Sequence, residues 1–167
     1  MSRPAIVQPV PHMPGLRVAL VVSTYHDDIT GRLAAGALEA LAAAGVSAAD
    51  VERLDVPGAY EIPFGAHTAA ASGRIDAVVC LGCLIKGETP HFDYIASAVS
   101  HGIMQASLAQ GVPMAFGVLT TNSIEEAEAR VPDGPGNKGY EAAVAVVTMA
   151  SLARQWQADP LRQGSRA

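Results

Sequence analysis

The amino-acid sequence predicts an α/β fold, a three-layer α/β/α sandwich around a four-stranded parallel sheet. Four short apolar runs are separated by stretches in which apolar residues recur at helical spacing. The first and third runs are apolar without alternation, which is typical of parallel strands that are covered on both faces. Strands and helices alternate as βαβ units require, so the strands are expected to lie parallel in one sheet.

The first half of the chain contains two predicted strand–helix pairs. Either Asp27 or Asp28 is expected to cap the first helix, because a short acidic side chain accepts hydrogen bonds from free N–H groups. Gly45 ends this helix, and Pro57-Gly58 forms a turn after the second strand. The predicted elements are strands over residues 16–23 and 50–56, a helix from Asp27 or Asp28 to Gly45, and a helix over residues 60–72.

The second half is predicted in the same way. Thr89 as N-cap and Pro90 at the first helical position begin a long helix, which Gly111 ends. Ser123 caps a short acidic helix that ends at Arg130. The predicted elements are strands over residues 77–84 and 113–119, helices over residues 90–110, 124–130 and 138–154, a loop over residues 131–136, an extended proline-rich arm over residues 1–15 and a polar, frayed tail over residues 155–167.

The 167 residues are therefore predicted to form one domain, residues 16–154, of the flavodoxin-like kind. In such sheets a ligand binds beyond the carboxyl ends of the strands. This rule selects four segments for the site, namely residues 24–28, 56–61, 83–91 and 116–121.

The composition narrows the class of protein. A net charge of −5 without a basic cluster argues against a nucleic-acid partner. No apolar run is long enough to span a membrane, and prolines interrupt the N-terminus where a signal peptide would need an apolar core. Two cysteines, Cys80 and Cys83, fit a reducing compartment, so we expect a cytoplasmic protein. Hydrophobic residues make up 50% of the sequence. This large fraction suggests that part of the apolar surface of each subunit is covered by sister subunits.

The segment GCLIKGETPHFDY, residues 82–94, gives the strongest functional signal. A strand ends, a loop follows and a helix begins, so the N–H groups of Glu88 and Thr89 and the helix dipole can converge on an anion. His91 lies in the first turn, where the dipole favours the neutral imidazole that suits proton transfer. A plain capped helix with a surface histidine remains an equal alternative at this point.

Other candidate residues have structural alternatives as well. Tyr25 can stack on a planar ligand or lie on the surface. Glu61 can bind hydroxyls or simply favour a helix start, and Phe116 fits core packing within its aliphatic strand. Arg130 at a helix end and Lys138 in a loop are also explained without a ligand.

Several other site types are set aside. Cys80 and Cys83 have C-x-x-C spacing, but residues three apart in a strand point to opposite faces, which weakens zinc and redox interpretations. No Gly-rich dinucleotide or phosphate fingerprint follows any strand. The histidines His12, His26, His67 and His101 show no ligand spacing and are interpreted as surface residues or as residues satisfied locally.

Four segments together resemble the lumazine synthase family. They are VPGAYEIPF (residues 56–64), GCLIKGETPHFDY (82–94), VPMAFGVLTT (112–121) and GNKG (136–139). The resemblance runs from about residue 16 to residue 154. It implies a synthase of the transferase class that needs no cofactor and no metal. The implied reaction, the penultimate step of riboflavin biosynthesis, condenses 5-amino-6-(D-ribitylamino)uracil with 3,4-dihydroxy-2-butanone 4-phosphate to 6,7-dimethyl-8-ribityllumazine, phosphate and water.

The resemblance also implies roles for particular residues. His91 is the implied proton carrier, Tyr25 stacks on the pyrimidine, and Arg130 grips the phosphate from an adjacent subunit. The other implied substrate-binding residues are Ala59, Tyr60 and Glu61 near the ribityl chain, Cys83, Leu84 and Ile85 at the uracil edge, Glu88 and Thr89 at the phosphate, and Phe116 and Lys138 from the adjacent subunit.

The resemblance implies a homo-oligomer, and the sequence leaves its size open between a pentamer, a decamer and a sixty-subunit shell. Two further functions stay open beside the enzyme. A module that only binds a flavin or lumazine needs the same pocket, and a mainly structural shell protein is compatible with the apolar composition.

Overall fold

The computed structural model describes residues 9–159 and confirms the predicted fold class. Four strands form one parallel sheet in the order β2-β1-β3-β4. The strands are β1 (Val18–Ser23), β2 (Val51–Val56), β3 (Ala77–Ile85) and β4 (Met114–Thr121). The two inner strands, β1 and β3, are the long apolar runs of the sequence.

Five α-helices cover the two faces of this sheet, as the three-layer prediction requires. They are α1 (Asp27–Ala43), α2 (Ile62–Ala71), α3 (His91–Gln110), α4 (Ile124–Glu128) and α5 (Lys138–Ala158). Short 3₁₀ turns lie at Ala48–Asp50, Ala59–Glu61 and Gly134–Gly136.

The core consists of two apolar clusters, one on each face of the sheet. α1 and α5 bury Leu33 and Val147 against one face, and α2 and α3 bury Ile62 and Val99 against the other. All six residues of β1 are buried, because this strand has a neighbour on each side and helices on both faces. The outer strand β2 is only half covered and carries its charged residues outward.

The start of α1 differs from the sequence prediction. The N-cap residue is His26 rather than Asp27 or Asp28, which lie in the first turn. His26 adopts a left-handed conformation with φ 58°, and its side chain forms no capping hydrogen bond. The acidic pair therefore favours the helix through the dipole and not through a cap.

Most other element bounds differ from the predicted ones by one or two residues, and two differences at helix ends have an identifiable cause. Pro90 precedes α3 instead of opening it, although the Thr89 hydroxyl accepts a long hydrogen bond of 3.5 Å from the His91 N–H group. α5 continues to Ala158, four residues into the predicted tail, because its sequence contains no helix breaker before Pro160. The remainder of that tail, residues 160–167, and residues 1–8 of the predicted arm lie outside the described residues.

The segment before β1 is attached to the core. The Met13 N–H group donates to the Ala44 carbonyl at 2.7 Å, and the Met13 side chain is buried in the cluster beneath α1. In the described part of the chain, none of the helices combines the length and the apolar character that a membrane crossing needs.

Candidate active site

A cavity of about 760 Å³ lies at the carboxyl end of the sheet and brings together most of the predicted site residues. This volume is in the range of small-molecule sites. Nine predicted residues line it: Tyr25, Ala59, Tyr60, Glu61, Cys83, Leu84, Ile85, Thr89 and His91.

Parallel pairing of the strands creates this juxtaposition. β1 ends at Ser23 beside Val56 of β2, and the Thr24 N–H group then donates to the Val56 carbonyl at 2.9 Å. This bond holds the turn that carries Tyr25 next to the 3₁₀ turn Ala59–Glu61. The end of β3 supplies the opposite wall, and Tyr25 is 66% exposed and therefore available to a ligand.

The loop before α3 presents main-chain donors at the rim. Within the described residues, the N–H groups of Gly87, Glu88 and Thr89 have no hydrogen-bond acceptor. The Lys86 N–H group donates to the Thr121 carbonyl at 2.8 Å and so anchors the loop to β4. Glu88 is exposed and does not line the cavity, so its carboxylate can point away from an anion bound by its N–H group. These free donors and the start of a 20-residue helix favour an anion.

His91 occupies the first position of α3, at the edge of the same cavity. Its side chain is exposed, and no described residue forms a hydrogen bond with its ring. An imidazole in this position can exchange protons with a ligand and with solvent.

Cys83 forms an uncharged part of the cavity wall. Burial, and secondarily the negative charge of Asp28, raises the pKa of its thiol to about 11, so the thiol stays protonated at neutral pH. Cys80 belongs to the cluster on the other face of the sheet, as its spacing from Cys83 predicts. No group of three or more potential ligands among the described residues is arranged to hold a metal ion.

The three remaining predicted residues, Phe116, Arg130 and Lys138, line a second cavity of about 380 Å³. The two cavities share no lining residue. Phe116 is 47% exposed, so its interpretation as a core residue is wrong. Within one chain, the predicted site is thus divided into two separate halves.

The two cationic residues of the second cavity, Arg130 and Lys138, are joined through their main chains, and each side chain has a partner. The Lys138 N–H group donates to the Arg130 carbonyl at 3.0 Å, which joins the two main-chain segments. One guanidinium N–H of Arg130 donates to the Glu126 carbonyl at 2.6 Å, and the Lys138 ammonium pairs with Glu141 at 2.7 Å. A guanidinium has five N–H donors, so the bond to Glu126 leaves most of the fork for an anion.

Asn137 supports this arrangement, and the sequence interpretation gave it no role. Its side-chain amide is 3% exposed and donates to the carbonyls of Arg32 and Pro132 at 3.0 and 3.1 Å, while its oxygen accepts from the Gly139 N–H group. These bonds fix the loop after Arg130 and the start of α5 against α1. The GNKG motif pointed to Lys138 and did not show that the neighbouring amide is buried.

The first cavity also contains residues to which the sequence interpretation gave no individual role. His26, which the sequence predicts to be a surface or locally satisfied residue, lines the cavity beside Tyr25. On α3, Ile95 is four residues from His91 and three residues from Phe92, and this helical spacing, which places each of the two next to Ile95, was available in the sequence. The additional lining residues are His26, Gly58, Gly87, Phe92, Tyr94 and Ile95.

Comparisons with known proteins agree in pointing to one family. A family profile described as 6,7-dimethyl-8-ribityllumazine synthase matches residues 15–154. The chain is also 48% identical over 141 residues to the 6,7-dimethyl-8-ribityllumazine synthase of Syntrophus aciditrophicus (strain SB). That alignment covers 84% of this chain and 92% of the relative.

Proposed function

Because the chain belongs to the 6,7-dimethyl-8-ribityllumazine synthase family, we propose that each of its active sites combines the first cavity of one subunit with the second cavity of a neighbour. The reaction is the one already given, in which an aminouracil and a butanone phosphate form the lumazine of the riboflavin pathway. The observation that carries the proposal is the separation of the two cavities, each of which holds only part of the residue set.

The phosphate is bound by groups from both subunits in this proposal. The N–H groups of Glu88 and Thr89 on one subunit donate to the phosphate oxygens, assisted by the dipole of α3. Arg130 of the neighbour adds a charge-assisted fork, and Lys138 adds a second cation. The unused main-chain donors of the loop and the exposed guanidinium support this assignment.

The pyrimidine lies in the first cavity. Tyr25 stacks on its ring from one subunit, and Phe116 of the neighbour covers it, which explains why both aromatic rings are exposed in the single chain. Cys83, Leu84 and Ile85 contact the uracil edge. Ala59, Tyr60 and Glu61 hold the ribityl chain, because main-chain groups and a carboxylate can bind its hydroxyls.

The chemistry needs no cofactor in this proposal. An aromatic amine attacks a ketone, and phosphate departs as a stable leaving group. Catalysis then consists of orienting two substrates, stabilising the departing phosphate and moving protons, and His91 takes the last role.

The surface of α3 supports self-association. This helix buries only Val99, Ile103 and Ala106 of its 20 residues, while Tyr94, Met104 and Leu108 are largely exposed. An apolar helix face of this kind is expected to be covered by another subunit. The assembly is proposed to be a pentamer, either alone or as part of a decamer or a sixty-subunit shell. The cytoplasmic location stays a prediction.

Replacing the proposed proton carrier tests its role. We expect His91→Ala to lower kcat by about 10²-fold, because a positioned acid–base group contributes on this scale. The KM of the aminouracil should change little, since the imidazole is not part of its stacking site. The measurement is the appearance of the fluorescent lumazine product under steady-state conditions.

The matched control for this variant is His67→Ala, an exposed histidine on α2 whose ring contacts Gln110 at 3.4 Å. This control variant should retain the kcat of the unaltered protein. Equal rates for the two variants would show that His91 is not the proton carrier.

A further inference from the structure

His26 is the only residue other than glycine with a positive φ in the described part of the chain. It connects β1 to α1 with φ 58° and ψ 54°, which is left-handed backbone. L residues with a Cβ avoid this region, although asparagine, aspartate and histidine enter it more often than others. A residue held in such a conformation marks a constraint imposed by its surroundings.

The main chain of His26 explains the conformation but not the choice of side chain. Its carbonyl accepts hydrogen bonds from the N–H groups of Ile29 and Thr30, each at 3.0 Å, and from the Thr30 hydroxyl at 3.3 Å. These bonds form the first turn of α1. They require the main-chain conformation of His26 and do not involve its side chain. Glycine or asparagine would form the same turn at lower cost, so the imidazole requires a separate reason.

The ring of His26 lies against Tyr25 in the wall of the first cavity. The two ring centroids are 4.7 Å apart with an interplanar angle of 79°, which is an edge-to-face contact. The His26 side chain is half-buried, and within the described residues no group forms a hydrogen bond with its ring nitrogens. The edge-to-face contact with Tyr25 is the aromatic contact that the described residues offer to this ring.

We propose that His26 is a positioning residue for the pyrimidine half of the reaction, because its ring fixes the Tyr25 ring as the stacking surface. This inference rests on the proposed function, in which Tyr25 stacks on the pyrimidine. Tyr25 is otherwise largely exposed and could rotate about its side-chain bonds. The left-handed backbone of His26 fixes the position of its imidazole beside the Tyr25 ring. The imidazole in turn limits the rotation of Tyr25 and so orients the proposed stacking surface.

His26→Asn tests the inference, since asparagine tolerates the left-handed backbone and lacks the ring. We expect the KM of the aminouracil to rise about 2- to 10-fold, the range of an aromatic pair. The KM of the butanone phosphate and the midpoint of thermal unfolding should remain close to those of the unaltered protein. Equal increases in both KM values would show a general structural role and would overturn the inference.

A double-mutant cycle with Tyr25→Leu supplies a second readout. Because His26 acts through Tyr25, His26→Asn should have no further effect on the aminouracil KM in the Tyr25→Leu background. Additive effects would overturn the inference while leaving the stacking role of Tyr25 in place. If Tyr25→Leu alone left the aminouracil KM unchanged, the proposed stacking role would fail, and the positioning role of His26 would fail with it.

Discussion

Arg130→Ala is expected to lower kcat/KM for the butanone phosphate by about 10²- to 10³-fold, the scale of losing a donor that stabilises developing charge. The guanidinium is exposed, and one of its N–H groups is used by the Glu126 carbonyl. The remaining donors match a phosphate in a bidentate geometry. The KM of the aminouracil should change little, because this substrate is proposed to bind mainly in the other cavity.

Two further variants sharpen this experiment. Arg130→Lys keeps the charge and loses the planar fork, so an intermediate activity is expected. Arg154→Ala removes an equal charge from α5, where Arg154 pairs with Asp76 at 3.7 Å, and it should retain full activity. If Arg130→Ala were no worse than Arg154→Ala, the phosphate role of Arg130 would be wrong.

Gly139→Ala is expected to cause the largest loss of stability. A Cβ at this position would overlap the carbonyl oxygen of Leu33 and lie 2.6 Å from its carbonyl carbon. Both neighbours are main-chain atoms of α1, so neither can move without shifting a helix. We expect the free energy of unfolding to fall by about 3 kcal/mol, at the upper end for overpacking.

The loss corresponds to a decrease of about 6–12 °C in the midpoint of thermal unfolding for a chain of this size, measured at a fixed subunit concentration. Gly31→Ala in α1 is the matched control, because an added Cβ there meets nothing within 4 Å. Alanine should stabilise that helix by about 0.5–1 kcal/mol. Similar midpoints for the two variants would show that the α1–α5 contact is looser than described.

The architecture was predictable because local patterns and long-range packing agree. The buried strand of residues 18–23 and the helix capped by Ser123 follow from apolar runs and from the Ser123 side chain, which accepts from the Glu126 N–H group at 3.2 Å. The cap of α1 was not predictable in this way. Two aspartates stand where a cap is expected, but the turn after β1 places the left-handed residue one position earlier, at His26.

The candidate site was predictable only in part, because sequence patterns report where strands end but not which distant segments come into contact. Most predicted residues of the first cavity lie at or just after the ends of strands, and parallel pairing must bring strand ends together. Phe116 lies in the middle of its strand, and only the position of β4 at the edge of the sheet leaves it exposed. The roles of Asn137 and His26 depend on contacts with distant or irregular main-chain segments. The hydrophobic periodicity of the sequence does not predict such contacts.

Subunit complementation tests the shared site most directly. His91→Ala impairs the first cavity and Arg130→Ala impairs the second, and the two chains can be co-expressed with different tags and purified through both tags. If each site joins the first cavity of one subunit to the second cavity of the next, random co-assembly at equal ratio leaves about a quarter of the sites with both cavities intact. We therefore predict that co-assembled particles recover about a quarter of the unaltered activity, whereas a mixture of the separately assembled variants does not. Co-assembled particles no more active than that mixture would contradict a site built from two subunits.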